Sequence, residues 1–592
     1  MPTLDISNFN IVVSVLGGWI SLFGLVSYLL KENFYLSEAL ISLLAGITFG
    51  PEALNWVRPM DYAGTTGNLE NVTLFFTRLV LGVQLVLAGV QLPSRYLKKE
   101  WKPLAFLLGP IMAAMWLSTG LLVWALVPRL PFLHALAIGA CVTPTDPVLS
   151  NVIVKGKFAD HNVPKALQKI IIAESGANDG LGYPFLFLAL YLIKYVGDGG
   201  ASESGGGGLA IGLWFGETWG YTIILSTIYG AAVGWVAKQL LHYCEEHKFV
   251  DRESFLVFAL SLALFITGTC GLIGSDDILA CFIAGNVFTW DDWFRLATLD
   301  EVINKLVRIG STLLTSASGN SSLQPTIDML LNVVIFMWYG AVCPWQSFVT
   351  NKIVPIHRLI PLGLLILLLR RPPFILGLHK KIPQIEGIRQ ATFMGFFGPI
   401  GCSAIFYLYI TVDFVETLKT KGGDSSRGDV ENLAEAVRVI VWFMVIVSVV
   451  VHGLSIPLGK LGFYLPRTIS RSLSAPGSIE RPSFQMSHLI NDVRLPRAHS
   501  RNRTSGGASN SRITPVGRAF KIGGSIIVPP EPAHQPQPPS PERGTQAEDG
   551  LGAAPPSIWI EPLLATQPPI PPYRTIRFPD EASRDPTQQP KV

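Results

Sequence analysis

Apolar stretches long enough to cross a lipid bilayer recur from residue 11 to about residue 458 of this sequence. A spanning helix needs about 20 predominantly apolar residues, and backbone inside hydrocarbon must satisfy its own hydrogen bonds. Runs of this length favour helices over barrel strands. They place spans at 11–30, 35–54, 72–92, 104–127, 132–153, 166–193, 209–239, 254–273, 275–290, 326–347, 353–371, 387–412 and 437–458, thirteen in all. Of the 592 residues 49% are hydrophobic and only 15% charged, which is too apolar for an ordinary soluble chain of this size. The expected fold class is an all-α polytopic membrane protein.

Residues 1–10 carry no Lys or Arg, and Ile11–Leu30 is longer than a signal-peptide core, so it reads as a first span after a short extracellular N-terminus. The loops then test the orientation. With the N-terminus outside, the inner loops hold Arg95, Lys98, Lys99, Lys102, Lys155, Lys157, Lys165, Lys248, Arg252, Arg295, Lys305, Arg308, Lys380 and Lys381. The outer loops offer mainly Arg58, Arg129, Lys352, Lys419, Lys421 and Arg427. The positive-inside rule therefore predicts a cytoplasmic C-terminus. A net charge of +4 gives no argument for nucleic acid. Cys141, Cys244, Cys270, Cys281, Cys343 and Cys402 show no CxxC spacing, so neither a metal cage nor a disulfide framework is suggested, and no cofactor is implied.

Two spans are broken in their middle. The fifth contains Thr143-Pro144-Thr145-Asp146-Pro147, where prolines remove backbone donors, and the twelfth contains Gly395-Phe396-Phe397-Gly398-Pro399-Ile400-Gly401. These breaks are seven spans apart. Spans 1–6 and 8–13 would thus form two six-helix repeats joined by span 7, and the odd offset inverts the second repeat. Paired broken helices in inverted halves point to the midplane site of a secondary transporter.

Asp146 lies in the first of those breaks, and Asp179 lies in the sixth span on what reads as a continuous helix. A carboxylate at the centre of a spanning helix costs roughly 2.5–3.5 kcal/mol on the insertion scale, so the default reading is an ion or proton site. A transported alkali cation must exchange water for hard oxygen ligands. The broken fifth helix offers the Thr145 carbonyl and the Asp146 carboxylate; Ser175 and Asp179, four apart, share one face of the sixth. One carboxylate in a partly desolvated cavity can bind a proton or a cation but not both, and that competition suffices to couple the two ions.

Asn178 points about 100° away from Asp179 and is expected to brace the freed backbone of the broken helix. Glu174 needs a partner if buried. Leu369-Arg370-Arg371-Pro372 could supply a guanidinium across the core, or both arginines could simply be cytoplasmic anchors. Asp276 and Asp277 open the ninth span, where a helix N-terminus attracts acids whether or not an ion is handled; an accessory role in cation access is the alternative.

From about 461 to 592 the chain is rich in Pro, Ser, Gly and Arg without a sustained helical period, and reads as a disordered cytoplasmic tail. Arg467-Thr468-Ile469-Ser470 looks like a site for a basic-directed regulatory kinase, and Val516–Val528 is basic and apolar enough to touch the membrane.

Thr145-Asp146-Pro147-Val148, Glu174-Ser175-Gly176-Ala177-Asn178-Asp179-Gly180, Arg371-Pro372 and Gly398-Pro399-Ile400-Gly401 resemble the monovalent cation/proton antiporters. Their surroundings are similar to the fungal plasma-membrane sodium/proton antiporters, over roughly residues 11–460. The resemblance implies a thirteen-helix fold with a dimerisation domain, a mobile core domain carrying the crossed broken helices, and a homodimer in the lipid bilayer. It implies exchange of cytoplasmic Na⁺, Li⁺ and K⁺ for extracellular H⁺ across the plasma membrane, serving salt tolerance and pH homeostasis. Carried over, Asp179 is the principal ion and proton carboxylate. Asp146, Ser175 and the Thr145 carbonyl assist it, Na⁺ sits at Asp179 and Asp146, and Glu174 pairs with Arg371. One departure is Glu301–Pro325, a polar insertion where the family has a short connection, read as either a cytoplasmic loop or a retained intron.

Two other classes fit the sequence less well. An intramembrane aspartyl protease would need a Gly-x-Gly-Asp surround, absent at both Asp146 and Asp179. A passive cation channel has no need of broken helices in inverted halves.

Overall fold

Helices cover the apolar runs, and their ends follow the local sequence. In the computed structural model of this chain the described residues are 7–28, 30, 36–147, 149–150, 159, 162–196, 205–296, 323–421, 428–473, 521–522 and 525–526. The principal helices are α1 (Asn8–Tyr28), α2 (Glu38–Phe49), α3 (Thr66–Gln91), α4 (Trp101–Leu126), α5 (Phe132–Cys141), α6 (Lys165–Gly180), α7 (Tyr183–Tyr195) and α8 (Gly206–Glu246). They continue as α9 (Arg252–Ile273), α10 (Asp277–Phe288), α11 (Leu323–Val342), α12 (Ile356–Leu369), α13 (Pro372–Leu378), α14 (Ile388–Phe396), α15 (Cys402–Lys421) and α16 (Gly428–Leu473). Six stretches among the described residues, including α1, α3, α4, α8 and most of α16, are long and apolar enough to cross a membrane.

Caps explain several boundaries. Thr65 accepts the Asn68 N–H at 3.2 Å to start α3, and Asp251 accepts the Ser254 N–H at 2.8 Å to start α9. Gly274, at φ +77°, ends α9 in the left-handed conformation that suits glycine.

Small residues set the closest helix contacts, as expected where lipid removes the hydrophobic drive between helices. A Cβ on Gly46 of α2 would overlap the Met337 carbonyl of α11, and one on Gly340 would overlap Leu43 of α2. Gly230 and Gly234 of α8 lie in the same way against Ala280 and Ala284 of α10. Backbones therefore meet directly along these pairs, and the apolar core is continuous through them.

Four features depart from the sequence reading. The sixth run is divided at Leu181–Gly182 into α6 and α7, so the helix carrying Asp179 ends one residue later, at Gly180, and Pro184 restarts the next one. A π-turn at Leu107–Ile111 absorbs Pro110 inside α4, and another occupies Trp214–Ile224 of α8. The last helix continues past residue 460 to Leu473. A small hairpin, Lys521–Ile522 antiparallel to Ser525–Ile526, stands in a second unit spanning Ser474–Tyr573, within the stretch read as able to touch the membrane. Lys155, Lys157, residues 301–322 of the insertion and nearly all of the remaining tail lie outside the described residues.

Candidate ion-binding site

Both predicted breaks form, and they meet. The helical pattern stops at Cys141 and resumes at Pro147 in the fifth run; in the twelfth, α14 stops at Phe396 and α15 begins at Cys402. The Asp146 N–H donates to the Pro399 carbonyl at 3.0 Å, and the Cys402 N–H donates to Asp146 Oδ2 at 2.6 Å. The Asp146 carboxylate thus sits at the N-terminus of α15, where free amides and the helix dipole favour an anion. Gly401 permits this approach, since a Cβ there would run into Asp146 Oδ2.

α6 crosses the first break and supplies the side chains that brace it. Asn178 Nδ2 donates to Thr145 Oγ1 at 2.8 Å while its Oδ1 accepts the Thr145 N–H at 3.2 Å, and the Thr145 and Ser175 hydroxyls are 3.1 Å apart. Thr145 is thus engaged through its hydroxyl and amide.

One turn on from Ser175, Asp179 is fully buried, and neither of its oxygens accepts a hydrogen bond from any described residue. The Ser403 hydroxyl lies close to it but outside hydrogen-bonding geometry, and Asp146 and Asp276 are its acidic neighbours. A buried carboxylate without donors carries an uncompensated charge unless a proton or a cation joins it. Tyr407 of α15 donates to the Asp179 and Gly180 carbonyls, taking up acceptors freed where α6 ends.

The two adjacent arginines divide the work around this centre. Arg371 grips Glu174 through both oxygens, Nη1 to Oε1 at 2.6 Å and Nη2 to Oε2 at 2.8 Å, and its Nε donates to the Met394 carbonyl at 3.0 Å. Arg370 binds no acid in this way. It donates to the carbonyls of Thr143 at 3.1 Å and Pro144 at 3.3 Å, and also to those of Val142 and Gly398, so one guanidinium ties the two breaks together. The expectation that both arginines could be cytoplasmic anchors is replaced by this geometry, since both are buried.

Asp276 and Asp277 are also separated in role. Asp276 Oδ1 caps α10 by accepting the Ile278 and Leu279 amides at 3.0 and 3.1 Å; its buried Oδ2 has no partner and faces Gly180. Asp277 pairs with Arg78 Nε at 2.8 Å.

Sequence reasoning passed over Arg78, Ser403, Tyr407 and the carbonyl-binding role of Arg370. For Arg78 the signal was present, because an arginine inside Phe75-Phe76-Thr77-Arg78-Leu79-Val80 is costly in a span without a partner. Ser403 and Tyr407 carried none, as hydroxyls are common on membrane helices.

The model of the transmembrane sodium/hydrogen exchanger family matches residues 19–458. The chain belongs to the sodium/hydrogen exchanger family. Among similar members, Na⁺/H⁺ antiporter 2 of Zygosaccharomyces rouxii is 35% identical over 471 residues, covering 78% of this chain and 54% of that protein. A Na⁺/H⁺ antiporter of Saccharomyces cerevisiae is 34% identical over 470 residues, covering 78% of this chain and 44% of that one. This exchanger-family chain spans about half the length of those fungal relatives. Its fold is similar to that of the sodium proton antiporter MjNhaP1 from Methanocaldococcus jannaschii, with a TM-score of 0.51 and 18% identity, over 76% of this chain and 100% of that one. The membrane-embedded, all-helical reading stands on these matches together with the apolar helices.

Proposed function

We propose that this chain is a secondary antiporter that exchanges Na⁺ for H⁺, with Asp179 as the carboxylate for which the two ions compete. The observation that carries the reading is Asp179 itself: fully buried, without a hydrogen-bond donor, and facing Asp146 at the crossing of two interrupted helices. A site of this kind is charge-neutral only when it holds a proton or a cation. Asp146, Ser175 and Thr145 complete the cation's oxygen ligands, Asn178 holds the break, and the Glu174–Arg371 pair fixes α6 against the twelfth run. Asp276 and Asp277 are accessory, near the path to Asp179.

In the same reading Li⁺ and K⁺ are further substrates, exported from the cytoplasm across the plasma membrane by a homodimer. Residues 1–10 are extracellular, residues 11–460 form the transport domain, and residues 461–592 are a cytoplasmic tail open to a regulatory kinase. The excess of Lys and Arg in the inner loops supports that orientation. In reconstituted vesicles, Asp179→Asn is expected to abolish Na⁺-driven proton movement while the protein keeps its thermal melting profile. Exchange at the normal rate by that variant would overturn the assignment.

A further inference from the structure

The broken stretch 397–401 and its two flanking residues are tethered at five backbone groups, and two of the tethers come from a helix outside the ion site. Gly398 O is held by Arg370, Pro399 O by the Asp146 amide, and the Cys402 amide by the Asp146 carboxylate. The remaining two are held by α16. The Ile400 N–H donates to Ser448 Oγ at 2.7 Å, and His452 Nε2 lies 3.0 Å from the Phe396 carbonyl, the last acceptor of α14.

Ser448 and His452 are four residues apart on α16, so they share one face, and His452 Nδ1 is 3.2 Å from Ser448 Oγ. The imidazole with its hydrogen on Nε2 links the two tethers. Nε2–H donates to Phe396 O, Ser448 Oγ–H donates to Nδ1, and Ser448 Oγ accepts from Ile400. With the hydrogen on Nδ1 instead, it would go to the Ser448 carbonyl 2.8 Å away; each neutral tautomer donates to one of the two carbonyls, and the Nε2–H form is the one that ties the break to α16. A chain of this order spans the break, with one tether on each side of it.

An open groove of about 540 Å³, lined by Phe396, Phe397, Val450, Val451, Leu454 and Ser455, borders the N-terminal end of the break. Ile400 and Cys402 beyond it are buried in the apolar core, and the polar tethers add direction to that packing. Arg370, which grips the same segment at Gly398, is a charged neighbour of His452.

We infer that His452, acting through Ser448, is a positioning residue for the cation site: the pair sets the register of 397–401 that presents the Cys402 amide to the Asp146 carboxylate. The inference rests on the reading of Asp146 and Asp179 as the ion site. Neither side chain touches the ion; loosening them lets the Asp146 carboxylate move relative to Asp179. Outer contacts of this kind commonly tune ion affinity by about tenfold when removed.

The test is Na⁺/H⁺ exchange by the full-length protein in vesicles, comparing wild type, His452→Gln, Ser448→Ala and the double variant. Gln keeps an amide donor toward Phe396 O but has no acceptor at the Nδ1 position beside Ser448, and Ala removes the acceptor of Ile400. Each single variant is expected to raise the KM for Na⁺ about tenfold, with the maximal rate and the melting temperature close to wild type. The double variant should be no worse than the weaker single one, because both losses act on one tether chain. An unchanged KM in the single variants, losses that multiply in the double, or a fall in maximal rate at constant KM would each overturn the inference. Failure of the wild type to exchange Na⁺ for H⁺ would instead sink the proposed function.

Discussion

At the scale of single residues, the pair Arg370-Arg371 shows how neighbouring side chains of the same type acquire different partners. Arg371 sits at the end of α12, just before Pro372, and its fork meets the Glu174 carboxylate with two parallel hydrogen bonds, the geometry in which arginine exceeds lysine. Both members are buried, so removing one strands the other. Glu174→Gln and Arg371→Met are each expected to cost about 3–5 kcal/mol of stability, while the double replacement should cost clearly less than their sum. Thermal melts of the four proteins in one detergent check this, and additive losses would remove the pair's energetic role. The acid, its serine and asparagine neighbours and the need for a guanidinium were legible in Glu174-Ser175-Gly176-Ala177-Asn178-Asp179, because charge inside an apolar run demands compensation. The choice of Arg371 over Arg370 was legible only through the family resemblance, and chemistry alone left it open. It depends on which backbone carbonyls the breaks set free, and those are acceptors that every sequence contains.

Among helices, the two interruptions were readable because proline and glycine act locally, whereas their meeting is a long-range fact. Pro144 and Pro399 interrupt the helices by removing amides and Pro147 restarts one, but only the fold brings Pro399 O to the Asp146 amide and the Cys402 amide to the Asp146 carboxylate. The end of α6 at Gly180 had a local signal too, in Gly180, Gly182 and Pro184, which the strong apolar character of Leu181–Ile193 masked. Gly401 is the tightest point of the crossing. Gly401→Ala places a methyl group on the Asp146 carboxylate, so Asp146 must rotate or α15 must withdraw. The expected result is a protein that still assembles in the membrane but has an apparent Na⁺ affinity lowered at least tenfold, measured by Na⁺-dependent exchange across a concentration series. Wild-type affinity in that variant would mean that the Cys402–Asp146 contact does not shape the site.

For the whole molecule, the question is which groups can give exchange a dependence on pH near neutrality. Candidates outside the membrane include Asp292, which follows α10 and joins it to the end of α3 by accepting the Ser94 amide at 3.0 Å and Arg295 Nε at 2.8 Å. Partial burial pushes its carboxyl up, but the hydrogen bonds and charge of Arg295 and the Ser94 amide outweigh this and hold it below the usual carboxylate range. A group with a depressed folded value contributes stability fully above its ordinary value of about 3.9 and loses it only as pH falls through the lower folded value. This clasp is therefore constant between about pH 5 and 8 and is not a source of pH dependence of exchange in that window. If Na⁺ and H⁺ share Asp179, lowering the pH on the Na⁺-loading side raises the KM for Na⁺ and leaves the maximal rate unchanged, and saturating Na⁺ removes the effect. Asp292→Asn should follow the same competitive pattern as wild type. Exchange measured at several pH values with Na⁺ varied at each decides the matter: a maximal rate that falls with acidification while KM stays constant would mean that the proton acts at a second site and that one shared carboxylate cannot account for the coupling.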